Sequence, residues 1–226
     1  MEIITLILNF IIGSCLGSHA LVLVQRLDNT NFIYGSSYCD TCHIKLSLLD
    51  EIPIYSFIHN KGKCKFCHAT IPIITIISEI FGGFAFLKIT FYERFDILNI
   101  LFIFYLLVIS LQDYQEKEFS TVFIIPLTLI TFLSPISSYH RFILTEWVTL
   151  LFISFFFIIQ ILKKKMGLGD LIIFILLALY LGTLIAVHIL LIGCILLLIY
   201  YVFNHTSSSL PFIPFIFCGF IINSLF

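Results

Sequence analysis

Long apolar runs dominate this sequence and constrain its fold more than any other feature. Eight of them, each close to the length that crosses a bilayer core, are separated by polar breaks. Hydrophobic residues make up 60% of the 226 residues and charged residues 11%, too few to cover a soluble globule. We therefore expect an all-α integral membrane protein with about eight transmembrane helices. The predicted spans are 3–24, 71–91, 97–112, 119–137, 142–162, 168–182, 184–203 and 210–226.

The stretch from Leu171 to Phe203 is too long for one tilted helix, so we place a turn at residues 181–183.

Basic residues predict the orientation of these spans. Nine of the twelve Lys and Arg residues follow spans 1, 3, 5 and 7, which places those connections in the cytoplasm and both termini outside. We find no internal repeat. The basic residues are too few and dispersed to indicate a nucleic-acid partner.

Two aspartates stand at the ends of predicted spans. Asp113 directly follows the third span, and Asp170 closes the Gly-Leu-Gly-Asp motif at 167–170, which opens the sixth. Span 4 leaves the side of Asp113 and span 5 returns to it, so both aspartates lie on one membrane face. Two carboxylates at a partly desolvated site share a proton, which suits peptide hydrolysis by an activated water molecule. Alternatively, Asp113 is one loop acid beside Glu116 and Glu118, and Asp170 caps a helix.

The residues around the two aspartates allow further hypotheses. Gly167 and Gly169 lack a Cβ and would let a substrate strand come close. Glu116 and Glu118 add negative charge on the same face and would attract a cationic substrate there. An ion-coupled transporter would instead carry protons or cations on the aspartates, although transporters place such groups near the bilayer midplane. A non-catalytic assembly scaffold would use the first loop and tolerate loss of both carboxylates.

The first loop contains two Cys-x-x-Cys pairs separated by 21 residues. The four cysteines are Cys39, Cys42, Cys64 and Cys67. This spacing indicates a structural zinc site in a cytoplasmic loop, and a redox role is the minor alternative. Disulfides are not expected, because cytoplasmic thiols stay reduced. His43 and His68 follow the two pairs as spare ligands or solvated side chains. The other cysteines, which we expect to be small buried hydrophobes, are Cys15, Cys194 and Cys218.

These motifs together resemble the type IV prepilin peptidase family of membrane aspartyl proteases, and the resemblance extends along the whole chain. The matching segments are Gly17-Ser18, Arg26, 37–42, 49–56, 62–67, Glu79, Asp113, Phe119-Ser120, 167–170 and 210–215. The residues that depart from the family's usual pattern are His19, Leu21, Asp28, Ser120 and Ile213.

The resemblance implies cleavage of type IV prepilins, or of the pseudopilins of competence and secretion systems, after the last glycine of the leader. Asp113 and Asp170 would be the catalytic residues, at the cytoplasmic face of a bacterial plasma membrane. Many family members also methylate the new N-terminus with S-adenosylmethionine, an activity of the N-terminal region. We accordingly divide the chain into helix 1–24, a four-cysteine loop at 25–70 and a polytopic peptidase domain at 71–226.

Overall fold

The computed structural model describes residues 2–26, 37–39, 41–47, 50–89, 96–116, 121–134, 143–204 and 210–226. Over these residues the chain is all-helical, with nine helices, no strand and two isolated β-bridges. The helices are α1 (Glu2–Gln25), α2 (Tyr55–His59), α3 (Ile73–Ala85), α4 (Asp96–Glu116), α5 (Thr121–Leu133), α6 (Leu144–Leu162), α7 (Leu168–Leu181), α8 (Thr183–Asn204) and α9 (Ile213–Leu225).

Every helix except α2 coincides with one of the predicted spans. By length and composition, α1, α4, α6 and α8 are long and apolar enough to cross a membrane. The helices α3, α5, α7 and α9 are apolar but shorter, with 13 or 14 residues each. The prediction of an all-α membrane protein is therefore confirmed.

Residues Met1–Ile89 form one compact unit, in which α1 packs along α3. Glycines allow the two backbones to approach closely. A Cβ added at Gly17 would overlap the carbonyl oxygen of Ser78, and one at Gly13 would lie 2.5 Å from the carbonyl oxygen of Gly82. Gly13 and Gly17 are four residues apart, so they share one face of α1. The close packing of this helix pair requires glycine at both positions.

The C-terminal end of α3 differs from the predicted span, because the helix ends at Ala85 whereas the apolar run continues to residue 91. The buried side chain of Asn9 explains the early end. Its Nδ2 donates hydrogen bonds to the carbonyl oxygens of Leu87, at 3.1 Å, and Ile89, at 2.7 Å. Carbonyl groups beyond a helix end need such partners in apolar surroundings.

Residues Thr90–Phe226 form a second compact unit around α4. In α4, 56% of the most apolar stretch is buried, against 17% in α6 and 22% in α8. The central helix packs against α5 and α9, while α7 packs against α5, α6 and α8. Tyr180 of α7 donates a hydrogen bond to Asn99 of α4, and its ring stacks on Phe102 with 3.8 Å between centroids. These contacts hold α7 against the central helix.

The turn that we predicted at residues 181–183 is confirmed, since α7 ends at Leu181 and α8 begins at Thr183. Gly182 between them has a φ of 97°. This backbone conformation is open to glycine but strained for residues with a Cβ, so the glycine permits the chain to reverse here.

Candidate active site and metal centre

Asp113 lies in the last turn of α4 and is only 8% exposed. Its Oδ2 accepts a 3.1 Å hydrogen bond from the backbone N–H of Ile213, the first residue of α9. The N–H of Phe212 is a second donor to the same carboxyl group. The first N–H groups of a helix have no partner within it and favour a negative charge. The end of α4 is therefore joined to the start of α9 through this side chain.

Asp170 lies in the first turn of α7, three residues after Gly167. The backbone N–H of Gly167 donates to Oδ2 of Asp170 at 3.3 Å, so the carboxyl group caps its own helix. The alternative interpretation of this aspartate as a capping residue is thus correct in part. It is incomplete, because the charge of Asp113 also acts on this carboxyl group.

The structure brings Asp113 and Asp170 close enough for their charges to repel each other. The hydrogen bond between Tyr180 and Asn99 lies at the opposite ends of the same two helices, so the carboxyl pair is at one end of the helical unit. Two interacting carboxyl groups titrate as a pair and hold one proton between them over a range of pH. Such a pair contains both a base and an acid, which are the groups that hydrolysis of a peptide bond requires.

The other predicted site residues lie near this pair in the chain. Gly167 is exposed, and a Cβ built on it would meet nothing closer than Oδ2 of Asp170 at 3.8 Å. Gly169 is buried. Glu116, the last residue of α4, is exposed and accepts a 3.1 Å hydrogen bond from Gln112. Two further predictions, Glu118 and the Phe119-Ser120 match, lie outside the described residues.

The two cysteine pairs lie in turns of the same backbone geometry, 25 residues apart in the chain. In the first turn the N–H of His43 donates to the carbonyl oxygen of Cys39 at 2.8 Å, and in the second His68 donates to Cys64 at 3.0 Å. The equivalent isolated β-bridges join Tyr38 with Lys45 and Lys63 with Thr70. The two turns are therefore equivalent in structure, and in sequence they share the Cys-x-x-Cys-His pattern at 39–43 and 64–68.

The four cysteine Sγ atoms all lie within 4.8 Å of one another. The sulfur atoms of Cys39 and Cys67 are 3.8 Å apart, and those of Cys42 and Cys64 are 4.0 Å apart. A tetrahedral site with Zn–S bonds of about 2.3 Å has sulfur atoms about 3.8 Å apart. The predicted cysteine cluster is therefore positioned to bind a metal ion, and its dimensions fit zinc.

The thiols of the cluster differ in pKa, and therefore in how readily they ionise. The backbone N–H groups of Cys42 and Thr41 lower the pKa of Cys39 to about 6. At Cys67 the N–H of Ala69 acts in the same direction, but hydrogen bonds with the other three cysteines raise the pKa to about 11. Without a cation only part of the cluster ionises readily, whereas a bound metal ion favours thiolate at every position. The exposed side chains His43 and His68 are not members of this four-sulfur cluster.

The three other cysteines lie on α1, α8 and α9. The prediction that they are buried is wrong for Cys15 and Cys194, which are exposed, and Cys218 is half-buried. A thiol is apolar enough to lie on the outer face of an apolar helix, where a membrane would surround it with lipid.

Comparisons with known proteins agree with these features. The family model of the Bacterial Peptidase A24 N-terminal domain matches residues 11–93. A Prepilin leader peptidase/N-methyltransferase from Vibrio cholerae serotype O1 is 28% identical over 147 residues, which is 59% of this chain and 57% of the relative. These matches support the resemblance to the type IV prepilin peptidase family. This chain spans little more than half of the length of the Vibrio cholerae relative. No solved structure matches this chain.

The A24 match covers most of α1, the four-cysteine loop and α3, which meet at Glu79. Its Oε1 accepts a hydrogen bond from Ser18 at 3.1 Å, and its Oε2 accepts one from the N–H of Ile54 at 2.6 Å. The sequence did not predict this contact, nor the one from Ile213 to Asp113. Both contacts involve segments that resemble the prepilin peptidase family, Glu79 and 210–215. The resemblance, however, assigned no role to these segments.

Proposed function

We propose that this chain is a membrane aspartic endopeptidase that cleaves the leader peptide of type IV prepilins or pseudopilins after its terminal glycine. The observation that carries the proposal is the approach of Asp113 and Asp170 at one end of the second unit, with each carboxyl group held by a backbone N–H. The name of the Vibrio cholerae relative supports both the peptidase activity and the prepilin substrate.

In the proposed reaction, one carboxylate accepts a proton from water while the water oxygen attacks the scissile carbonyl carbon. The other carboxyl group is protonated and donates a hydrogen bond to the carbonyl oxygen. The C–N bond then breaks as the leaving nitrogen takes a proton from a carboxyl group. The hydrogen bonds from Ile213 to Asp113 and from Gly167 to Asp170 support this role, because they fix the carboxyl groups before substrate arrives.

We assign the active end of α4 and α7 to the cytoplasmic face of a bacterial plasma membrane. The support is the sequence segment 163–165, a run of three exposed lysines that ends two residues before the Gly-Leu-Gly-Asp motif begins. We further assign zinc to the four-cysteine cluster, because the sulfur–sulfur distances match those of a Zn–thiolate tetrahedron. There zinc would join two distant turns of a loop that has little hydrophobic core.

Methylation of the new N-terminus with S-adenosylmethionine is a second proposed activity, supported by the name of the relative. We assign it to the N-terminal region, where the A24 match lies. The described residues identify no binding site for S-adenosylmethionine, so we derive no step of this reaction.

Co-expression of a prepilin with wild-type protein, Asp113→Asn or Asp170→Asn tests the proposal. Mass spectrometry of the pilin N-terminus reports cleavage and methylation together. Each variant should lose cleavage, whereas Asp96→Asn at the other end of α4 serves as the matched control. Full cleavage by both active-site variants would support a non-catalytic scaffold instead.

A further inference from the structure

Glu79 connects three parts of the N-terminal unit. It belongs to α3, accepts a hydrogen bond from Ser18 of α1, and accepts another from the backbone of Ile54 in the four-cysteine loop. The side chain is 4% exposed. The stretch between the two cysteine pairs is thus fastened to the α1–α3 helix pair at a buried point.

The depth of this point follows from helix geometry. Glu79 is the seventh residue of α3, so its Cα lies about 9 Å inside the start of that helix. Ser18 precedes Arg26, the first charged residue after the apolar run of α1, by eight residues, or about 12 Å. Side chains tilt toward the helix N-terminus, yet the carboxylate still lies within the apolar part of both helices. The backbone of Ile54 therefore lies deeper, toward the apolar middle of the helix pair, than the adjacent ends of α1 and α3.

The backbone at Ile54 is adapted to this contact. Its φ is 61°, a conformation that is costly for a β-branched residue, and it immediately precedes α2. Because the 2.6 Å hydrogen bond to Glu79 involves this same residue, the strained turn directs its N–H toward the carboxylate. The chain thus bends toward the helix pair and then enters α2.

The residues on both sides of this contact expose apolar side chains. Ile52 is 42% exposed, Tyr55 53% and Ile58 66%. Tyr55 and Ile58 are three residues apart on α2, so they share a face. Tyrosine is typical of membrane–water interfaces, and the exposed side chains Lys61 and Lys63 follow, which suits the phosphates of lipid headgroups.

We propose that residues 52–59 lie in the interfacial layer of the bilayer and that Glu79 holds them there. Lipid is the occupant of this surface because Glu79 fastens it to the membrane helices α1 and α3, whose own exposed side chains are apolar, with Ile73 70% exposed, and because basic side chains follow it. The segment keeps the metal-binding turns on either side of it at the membrane surface. The inference does not rest on the proposed peptidase activity.

Depth-dependent fluorescence quenching tests the location of this segment. Trp147 is the single tryptophan, so the Trp147→Phe protein provides a dark background for Ile58→Trp. The full chain is reconstituted in phosphatidylcholine–phosphatidylglycerol vesicles that contain lipid brominated near the headgroup end of the acyl chain. We expect quenching at least half as strong as that of Ile12→Trp, a control on the exposed face of α1. Quenching by aqueous acrylamide without quenching by brominated lipid would overturn the proposal.

The role of Glu79 is tested in the same Ile58→Trp background. Glu79→Gln keeps both contacts, because its amide oxygen accepts from Ile54 and its amide nitrogen donates to Ser18, so lipid quenching should be retained. The Glu79→Ala variant should lose at least half of the lipid quenching. Ser18→Ala removes only the longer contact and should fall between them, which keeps the test valid if Glu79→Ala fails to fold. Equal lipid quenching in all three variants would refute a holding role for Glu79.

Discussion

The backbone N–H of Ile213 donates a hydrogen bond to Oδ2 of Asp113, 100 residues earlier in the chain, at 3.1 Å. This contact joins the start of α9 to the end of α4 beside Asp170. Ile213 is one of the residues that depart from the usual pattern of the prepilin peptidase family. The departure leaves the contact intact, because the donor is a backbone group and the Ile213 side chain is completely buried.

Substitutions of Asp113 should separate its structural contribution from its chemical one. Asp113→Asn keeps an oxygen that accepts from Ile213, so thermal unfolding should change little. Asp113→Ala leaves a buried N–H without its partner and should lower the free energy of unfolding by about 1–3 kcal/mol. Cleavage of a prepilin should fall by about 100- to 10,000-fold in both variants. Retained cleavage in the stable Asn variant would contradict the assigned role.

Gly167→Ala should lower the rate of substrate cleavage without changing the stability of the fold. The added Cβ meets only ordinary contacts, 3.8 Å or more away, and the φ of −80° suits alanine. Thermal stability should therefore match wild type, while cleavage falls on the order of tenfold if a substrate strand passes over this glycine. Leu168→Ala, at a neighbouring residue that is 66% exposed, is the control and should cleave normally. Equal cleavage by both variants would remove Gly167 from the substrate path.

Neutralising Glu116 and Glu118 tests the proposed attraction of a basic leader. The double change to glutamine should lower kcat/KM at low ionic strength and leave kcat nearly unchanged, because long-range attraction acts on encounter. The difference should disappear at high salt, since the Debye length is already about 10 Å at 0.1 M. Replacing Glu51, an exposed acid in the first loop, with glutamine is the control. A salt-independent loss would indicate a local defect instead of steering.

Metal analysis of purified protein tests the cysteine cluster. Cys64→Ser should reduce the content from about one ion per chain to background, whereas Cys15→Ser, outside the cluster, should keep it. Metal content should also fall as the buffer is acidified from about pH 7 to about pH 5, because each thiol must lose its proton to bind. Full loading of the Cys64→Ser protein would contradict a four-sulfur site.

Gly17→Ala should destabilise the N-terminal unit. The new Cβ would overlap the backbone of Ser78, and neither backbone moves without separating α1 from α3. We expect the free energy of unfolding to fall by about 1–3 kcal/mol, measured by thermal melting in detergent. Leu8→Ala, at a position on the same helix that is 54% exposed, is the matched surface change. Unchanged stability in Gly17→Ala would show that the helix pair is looser than described.

Local patterns were sufficient to predict several features of this protein. Apolar runs identified the helices because a bilayer requires about 20 apolar residues for a crossing helix. The spacing of Cys39, Cys42, Cys64 and Cys67 predicted a cluster because a metal ion imposes fixed geometry on its ligands. Gly182 marked the turn between α7 and α8 because only glycine adopts its φ without strain. Each of these signals is confined to a short stretch of chain or to a constraint set by chemistry.

Contacts between distant segments were decided only by the tertiary structure. The parity of the spans predicted that Asp113 and Asp170 share a membrane face, but their approach depends on how α4 and α7 pack. The donors at Ile213 and Ile54 are backbone N–H groups. Every residue except proline carries one, so no residue type in the sequence indicates such a contact. The sequence by itself determined the membrane helices, the cysteine cluster and the candidate carboxylates. Packing decided what holds them, because hydrogen bonds between remote backbone and side-chain groups leave no periodic pattern in the chain.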